Sequence, residues 1–329
     1  MSIEAPVRAR SGGIDMLRGL LVLGVIAGHC AELIARGSFL AWIGTGARMP
    51  LFLGLAGYLF HLERARTDGL GALLRRLGPQ LILPSVLASA TYLLMSGGID
   101  LATLAMMIVR PSFHLWFVPV LLAFMTIATR TRCAPETLFA WAILASIVAM
   151  YTLGIGHSVG HYPAWLPDRR YFVYPVFFFY GLWVARRPRD PRRVTAAIGL
   201  AVIGLPWWAS LYVAPDLAGE VAAELIWGLA LIYLLPNVRQ LDAPVPGVAA
   251  MGRDSLFYYL WHPLVFTVWL SLGCSGWSIM LPSLGTLVVV RWTLARVPRL
   301  AALAGIGRHA VRQNGRIAPM PHLAAVPVP

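Results

Sequence analysis

Residues Asp15–Arg36 read DMLRGLLVLGVIAGHCAELIAR. The stretch is apolar and long enough to cross a bilayer, which takes about 20 residues. Yet it carries Arg18, His29, Glu32 and Arg36. An ionisable side chain at membrane depth costs about 2.5–3.5 kcal/mol on insertion scales, so such groups face a cavity or a partner and mark function. His29 lies eleven residues after Arg18. At 3.6 residues per turn that is about three turns, so the two side chains share a face, about 16 Å apart along the axis. Asp15 before Arg18, and Glu32 and Arg36 after His29, extend the same stripe at three- and four-residue steps. One helix thus presents a polar seam from one membrane surface past mid-depth.

The rest of the chain reads the same way. Of its 329 residues 58% are hydrophobic and 12% charged, against about 25% charged in soluble domains. Mean hydropathy is +0.71. The net charge is +13, and all 27 basic residues are Arg. They sit in short clusters between apolar runs, as membrane proteins place them, and not on one soluble face that would bind nucleic acid. Ten candidate spans fall at 17–35, 41–61, 79–96, 113–130, 137–155, 171–185, 194–213, 220–236, 255–273 and 277–295. The sixth is short, and the tenth carries Pro282 and Arg291. The run 101–109 is too short to span and reads as an interfacial piece or the start of the fourth helix.

The expected fold is all-α, a polytopic membrane protein of about ten transmembrane helices. With the N-terminus cytoplasmic, 21 Arg fall on the inner side and only Arg36, Arg110, Arg169 and Arg170 on the outer. That split places both termini in the cytoplasm. Arg8 and Arg10 precede an apolar run that no small-residue cleavage site closes, so the first helix is expected to be retained. The expected organisation is a tail over 1–16, one transmembrane domain over 17–296 and a disordered basic tail over 297–329, rich in Pro, Ala and Arg. Cys30, Cys133 and Cys274 have no disulfide or metal-ligand spacing, and no metal is expected.

Several polar residues admit two readings each. His29 fits a general base oriented by Glu32, or a buried imidazole satisfied by a carbonyl. Arg48, inside the second apolar segment, wants an anion or a carboxylate, either a substrate or a structural partner such as Glu32. Arg75 and Arg76 anchor a loop or meet a phosphate. His114 and Trp116 suit an outer interface, where aromatic residues gather, or a pocket. Ser255, with Asp254 before it, suits a helix start. Tyr259 and His262 share a face, and the Pro263 that follows frees a carbonyl that a neighbour must satisfy.

Asp15-x-x-Arg18-Gly19, followed by Arg18-x10-His29, resembles the acyltransferase-3 family of integral-membrane O-acyltransferases, which modify glycans and related acceptors. LLRRLGPQLILP (73–84), SFHLWFVPVLL (112–122), YFVYPVFFFYGLWV (171–184) and MGRDSLFYYLWHPLV (251–265) are similar to family segments in the same order. The resemblance runs over about 12–295. One departure stands in the second segment, where Leu55-Ala56-Gly57-Tyr58 has Ala56 at the place of a family Ser. Any hydroxyl role there is absent or supplied elsewhere.

The resemblance implies an acyl-CoA co-substrate, acetyl-CoA most simply, approached by Arg18, Arg75 and Arg76. It implies a glycan or glycoconjugate hydroxyl as acceptor and His29 as base or acyl relay; Glu32, which the family motif does not include, is expected beside His29 from its place one turn further on. Arg48, His114, Trp116, Tyr259 and His262 would surround the pocket, and Asp15 would support it. The implied setting is a bacterial inner membrane, without the extracytoplasmic hydrolase-like domain that some members carry. The rival reading is a transporter or flippase for a small or lipid-linked anionic solute, with the seam as its path. No inverted repeat supports that rival. A scaffold whose buried charges merely pair would explain the seam but not its match to the motif.

Overall fold

The computed structural model describes residues 11–98, 101–111, 114–158, 163 and 165–307. Arg8, Arg10, His161 and the segment 308–329 lie outside the described residues. Every regular element among those described is helical. The order begins α1 Gly12–Ile34, α2 Phe39–Ile43, α3 Thr45–Leu59 and α4 Leu62–Leu77. A π-helical turn, Gly78–Ile82, leads into α5 Leu83–Met95, then α6 Leu101–Val109, α7 Phe117–Arg130 and α8 Pro135–Leu153. Next come α9 Arg170–Val173, α10 Pro175–Val184, α11 Pro191–Ser210, α12 Leu217–Tyr233 and α13 Leu235–Val238. The chain closes with α14 Pro246–Arg253, α15 Ser255–Ser271, α16 Met280–Leu294 and α17 Pro298–Ala304.

Seven helical stretches among the described residues are long and apolar enough to cross a membrane. They are Gly12–Ile34, Phe39–Leu59, Leu62–Met95, Pro135–Leu153, Pro191–Ser210, Leu217–Val238 and Gly276–Leu294. The expected count of ten adds α7, α10 and α15, which are 14, 10 and 17 residues long. Large apolar side chains stand exposed on α8, α11 and α16, among them Trp141, Val202 and Leu281 at 66%, 66% and 78%. In water such surfaces would aggregate; in a bilayer they face lipid. The protein is an all-α polytopic membrane protein.

Sequence signals set the helix ends. The Ser11 hydroxyl accepts from Ile14 N–H, and the Asp190 and Asp216 carboxylates cap α11 and α12 on Arg192 N–H and Gly219 N–H. Pro135 and Pro191 open α8 and α11, where a missing N–H costs nothing. α10 lies at the centre, with Phe177, Phe178 and Phe179 at most 3% exposed. It presses on α3 through small residues. A Cβ on Gly57 would stand 1.9 Å from the Phe178 carbonyl oxygen, and one on Gly181 would stand 1.9 Å from that of Gly54. Backbone contact of this kind is how membrane helices gain packing without a hydrophobic drive.

The structure corrects four expectations. Residues 11–16 are not tail: α1 begins at Gly12, and Ser11 Oγ donates to the Arg239 carbonyl at 2.7 Å. Residues 298–307 are not loose either. α17 buries Ala301 and Ala304, Ile306 is buried beyond it, and Trp261 Nε1 donates to the Ala304 carbonyl at 3.0 Å. Asp254 does not cap α15 with its side chain. Its carboxylate takes two bonds from Arg291, at 2.9 and 2.7 Å, and one from Gly307 N–H at 2.8 Å. A buried carboxylate finds a guanidinium a better partner than its own helix end. Finally, 101–109 is a separate helix, and α7 starts only at Phe117, so His114 and Trp116 sit on the turn before it.

Candidate active site

Two cavities open at opposite ends of α1. The first, about 650 Å³, lies near its C-terminal end and is lined by His29, Glu32 and Arg36 with Arg48, His114 and Trp116. The second, about 530 Å³, is lined by Arg18 with Gln80, Arg253, Ser255 and the Gly305–Gly307 turn. Met49 and Tyr259 line both. The seam read on the first helix therefore serves two compartments, Arg18 one and His29 the other. Arg75, exposed, and Arg76, half-buried, stand on the last turn of α4. They do not line the second cavity; Leu77, Pro79 and Gln80 do. Asp15 is buried where α1 meets α14, and a Cβ on Gly252 would stand 1.7 Å from its carbonyl oxygen.

His29 is held by His262. The His29 Nδ1 to His262 Nε2 distance is 2.8 Å, and His262 Nδ1 lies 3.0 Å from the Tyr258 carbonyl oxygen. A carbonyl only accepts, so His262 Nδ1 carries the proton and its Nε2 is a lone pair. His29 Nδ1 must then be the donor, which leaves His29 Nε2 unprotonated and able to take a proton. His262 is fully buried. Its helix is opened at this point by Pro263, and the Tyr92 hydroxyl sits in the gap. That hydroxyl donates to the Leu260 carbonyl at 2.8 Å and accepts from Leu264 N–H at 3.2 Å. The neighbour that a proline-broken membrane helix needs is thus a tyrosine of α5. Glu32 forms no ion pair with His29 among the described residues and is exposed at the cavity mouth.

His114 completes a cluster of three imidazoles. Its ring centroid is 5.8 Å from that of His29 and 5.1 Å from that of His262. The Tyr259 hydroxyl donates to the His114 carbonyl. His114 Nε2 is buried without a hydrogen-bond partner among the described residues. Trp116 is stacked on Tyr174 at 5.4 Å, with the Arg170 guanidinium 4.6 Å over its ring.

Arg48 lies along α1. Its Nη1 donates to the Gly24 carbonyl at 2.6 Å and its Nη2 to that of Ala41 at 3.2 Å. Gly28 makes the room, since a Cβ there would stand 1.5 Å from Arg48 Nη1. The expected pair with Glu32 is not an ion pair among the described residues, and the guanidinium still lines the first cavity.

The sequence reading passed over Glu224, Arg169 and Tyr174, which also line the first cavity, and Arg253, which lines the second. Glu220 and Glu224 were legible by the rule that singled out His29, as ionisable residues one turn apart inside an apolar span. The arginines were counted only as loop charge.

Residues 11–296 match the model of the acyltransferase-3 family, described as an acyltransferase domain. No curated protein and no solved structure gives a significant match. The match takes in the first cavity, the seam, the π-helical turn and the histidine cluster, and it stops before α17 and the Gly305–Gly307 turn that line part of the second cavity. The chain belongs to the acyltransferase-3 family and is an integral-membrane acyltransferase.

Proposed function

We propose that the protein moves an acyl group, acetyl most simply, from acyl-CoA to a hydroxyl of a glycan or glycoconjugate. The observation that carries this is the hydrogen-bonded chain from the Tyr258 carbonyl through His262 to His29, which orients His29 beside a wall shared by two cavities. On this reading ten helices span a bacterial inner membrane, the second cavity faces the cytoplasm and the first faces out. Arg18 and Arg253 suit the phosphates of the donor, because guanidinium binds phosphate bidentately. Arg75 and Arg76 stand near enough along the chain to steer it.

His29 Nε2 takes the proton of the acceptor hydroxyl, which is a poor nucleophile until it loses that proton. The oxygen bonds to the thioester carbonyl carbon, the carbon–sulfur bond breaks, and the His29 proton passes to the leaving thiolate. An acyl-His relay gives the same products in two steps. In either route the positive charge on His29 is spread into His262 through the bond they share.

The test is to give membranes radiolabelled acetyl-CoA and follow label into lipid-linked and polysaccharide fractions, with wild type and His29→Ala at equal protein level. Label that persists unchanged in the variant refutes the reading. His262→Phe keeps the ring but removes both nitrogens. It is expected to lower the transfer rate about 100-fold, the low end of what a positioned base contributes, with the protein still in the membrane. A wild-type rate would mean that His29 is oriented by something else.

A further inference from the structure

Two glutamates of α12 lie one turn apart and are used differently. Glu220 is fully buried and engaged: it accepts from His157 N–H at 3.2 Å and Ser158 N–H at 3.3 Å, with His157 Nδ1 3.5 Å away. Glu224 is 3% exposed and lines the first cavity, yet it has no hydrogen bond or ion pair among the described residues. A buried carboxylate left without a donor is costly, several kcal/mol by desolvation alone. A chain that keeps one aimed into its cavity has a use for it. Arg169 acts on Glu224 as an opposite charge, lines the same cavity and spends one N–H on the Gly154 carbonyl at 2.8 Å.

We infer that Glu224 and Arg169 form the acceptor subsite and bind a vicinal diol of a polyol. The carboxylate only accepts and the guanidinium only donates. A diol offers both complements at once, an O–H for Glu224 and an oxygen for Arg169. An anionic group in the same place has no hydrogen to give the Glu224 oxygens. The pair lines the cavity that holds His29, so the diol it grips fixes which remaining hydroxyl is presented to His29 Nε2. This inference rests on the acyl-transfer reading above and names its acceptor chemistry.

The experiment titrates native cell-envelope acceptor against radiolabelled acetyl-CoA, using wild type, Glu224→Gln and Glu224→Asp in membranes. Glu224→Gln is expected to lower kcat/KM for the acceptor about tenfold or more, the worth of a hydrogen bond to a charged group. The KM for acetyl-CoA should be unchanged, and Glu224→Asp should recover part of the loss. Envelope treated with periodate, which cleaves vicinal diols, should lose acceptor capacity with the wild type. Wild-type acceptor dependence in the Gln variant, an equal rise in the acetyl-CoA KM, or undiminished acceptance after periodate each overturns the inference. If Glu224→Gln fails to accumulate, the Asp variant and the periodate arm decide. If transfer survives His29→Ala, the parent reading has failed; if it requires His29 but ignores Glu224, only the subsite has.

Discussion

His29→Ala is expected to lower acyl transfer about a thousandfold, inside the 10²–10⁴ range of a well-placed general base. The loss should be large because nothing nearby can substitute. His262 is fully buried and does not line the cavity, so the nitrogen that His29→Ala frees does not meet substrate. His114 presents its ring edge-on, 5.8 Å from the His29 centroid. Alanine also leaves His262 Nε2 without its donor, yet Tyr258 and the Tyr92 bridge still hold α15. The protein should therefore accumulate normally. The measurement is the initial rate of label transfer at matched protein level. A variant within tenfold of wild type would place the base elsewhere.

The second large effect is on assembly. Gly57→Leu should remove the folded protein from the membrane fraction, or lower its melting temperature in detergent by more than 10 °C, about the shift that several kcal/mol of overpacking produces. The added Cβ would meet the Phe178 carbonyl oxygen at 1.9 Å and Leu182 N at 3.1 Å. Both are backbone, so no rotamer relieves the clash. α3 and α10 would have to part, and α10 carries the most buried aromatic run among the described residues. Gly285→Leu on α16 is the control, since a Cβ there meets nothing within 4 Å. Detergent size-exclusion profiles and thermal melts of the two variants read the difference. Similar behaviour of the two would show that the α3–α10 crossing yields.

The membrane class and the seam were legible because composition and helical period are local properties. Arg18, His29, Arg48, His114, Trp116, Tyr259 and His262 all line a cavity or touch a residue that does. What joins them was not legible. The partner of His29 lies 233 residues away, and Glu32, favoured by its place on the same helix face, does not supply the bond. Glu224 was passed over although its setting in an apolar run flagged it. α17 was read as tail because Pro, Ala and Arg suggest disorder, whereas its order depends on Trp261 and on the pocket that buries Ile306. No local rule foresees a carbonyl bond from another helix.

The wall that Met49 and Tyr259 share between the cavities has an electrical consequence. A potential across a membrane falls mainly over whatever layer of low polarizability separates the two solutions. With the orientation proposed above, cavities cut from both ends of α1 would thin that layer to the neighbourhood of this wall and concentrate the field there. A unit charge carried through it exchanges about 2.3 kcal/mol for every 100 mV, whereas a neutral group exchanges none. At this depth a proton passing between the compartments does electrical work, and an acyl group does not.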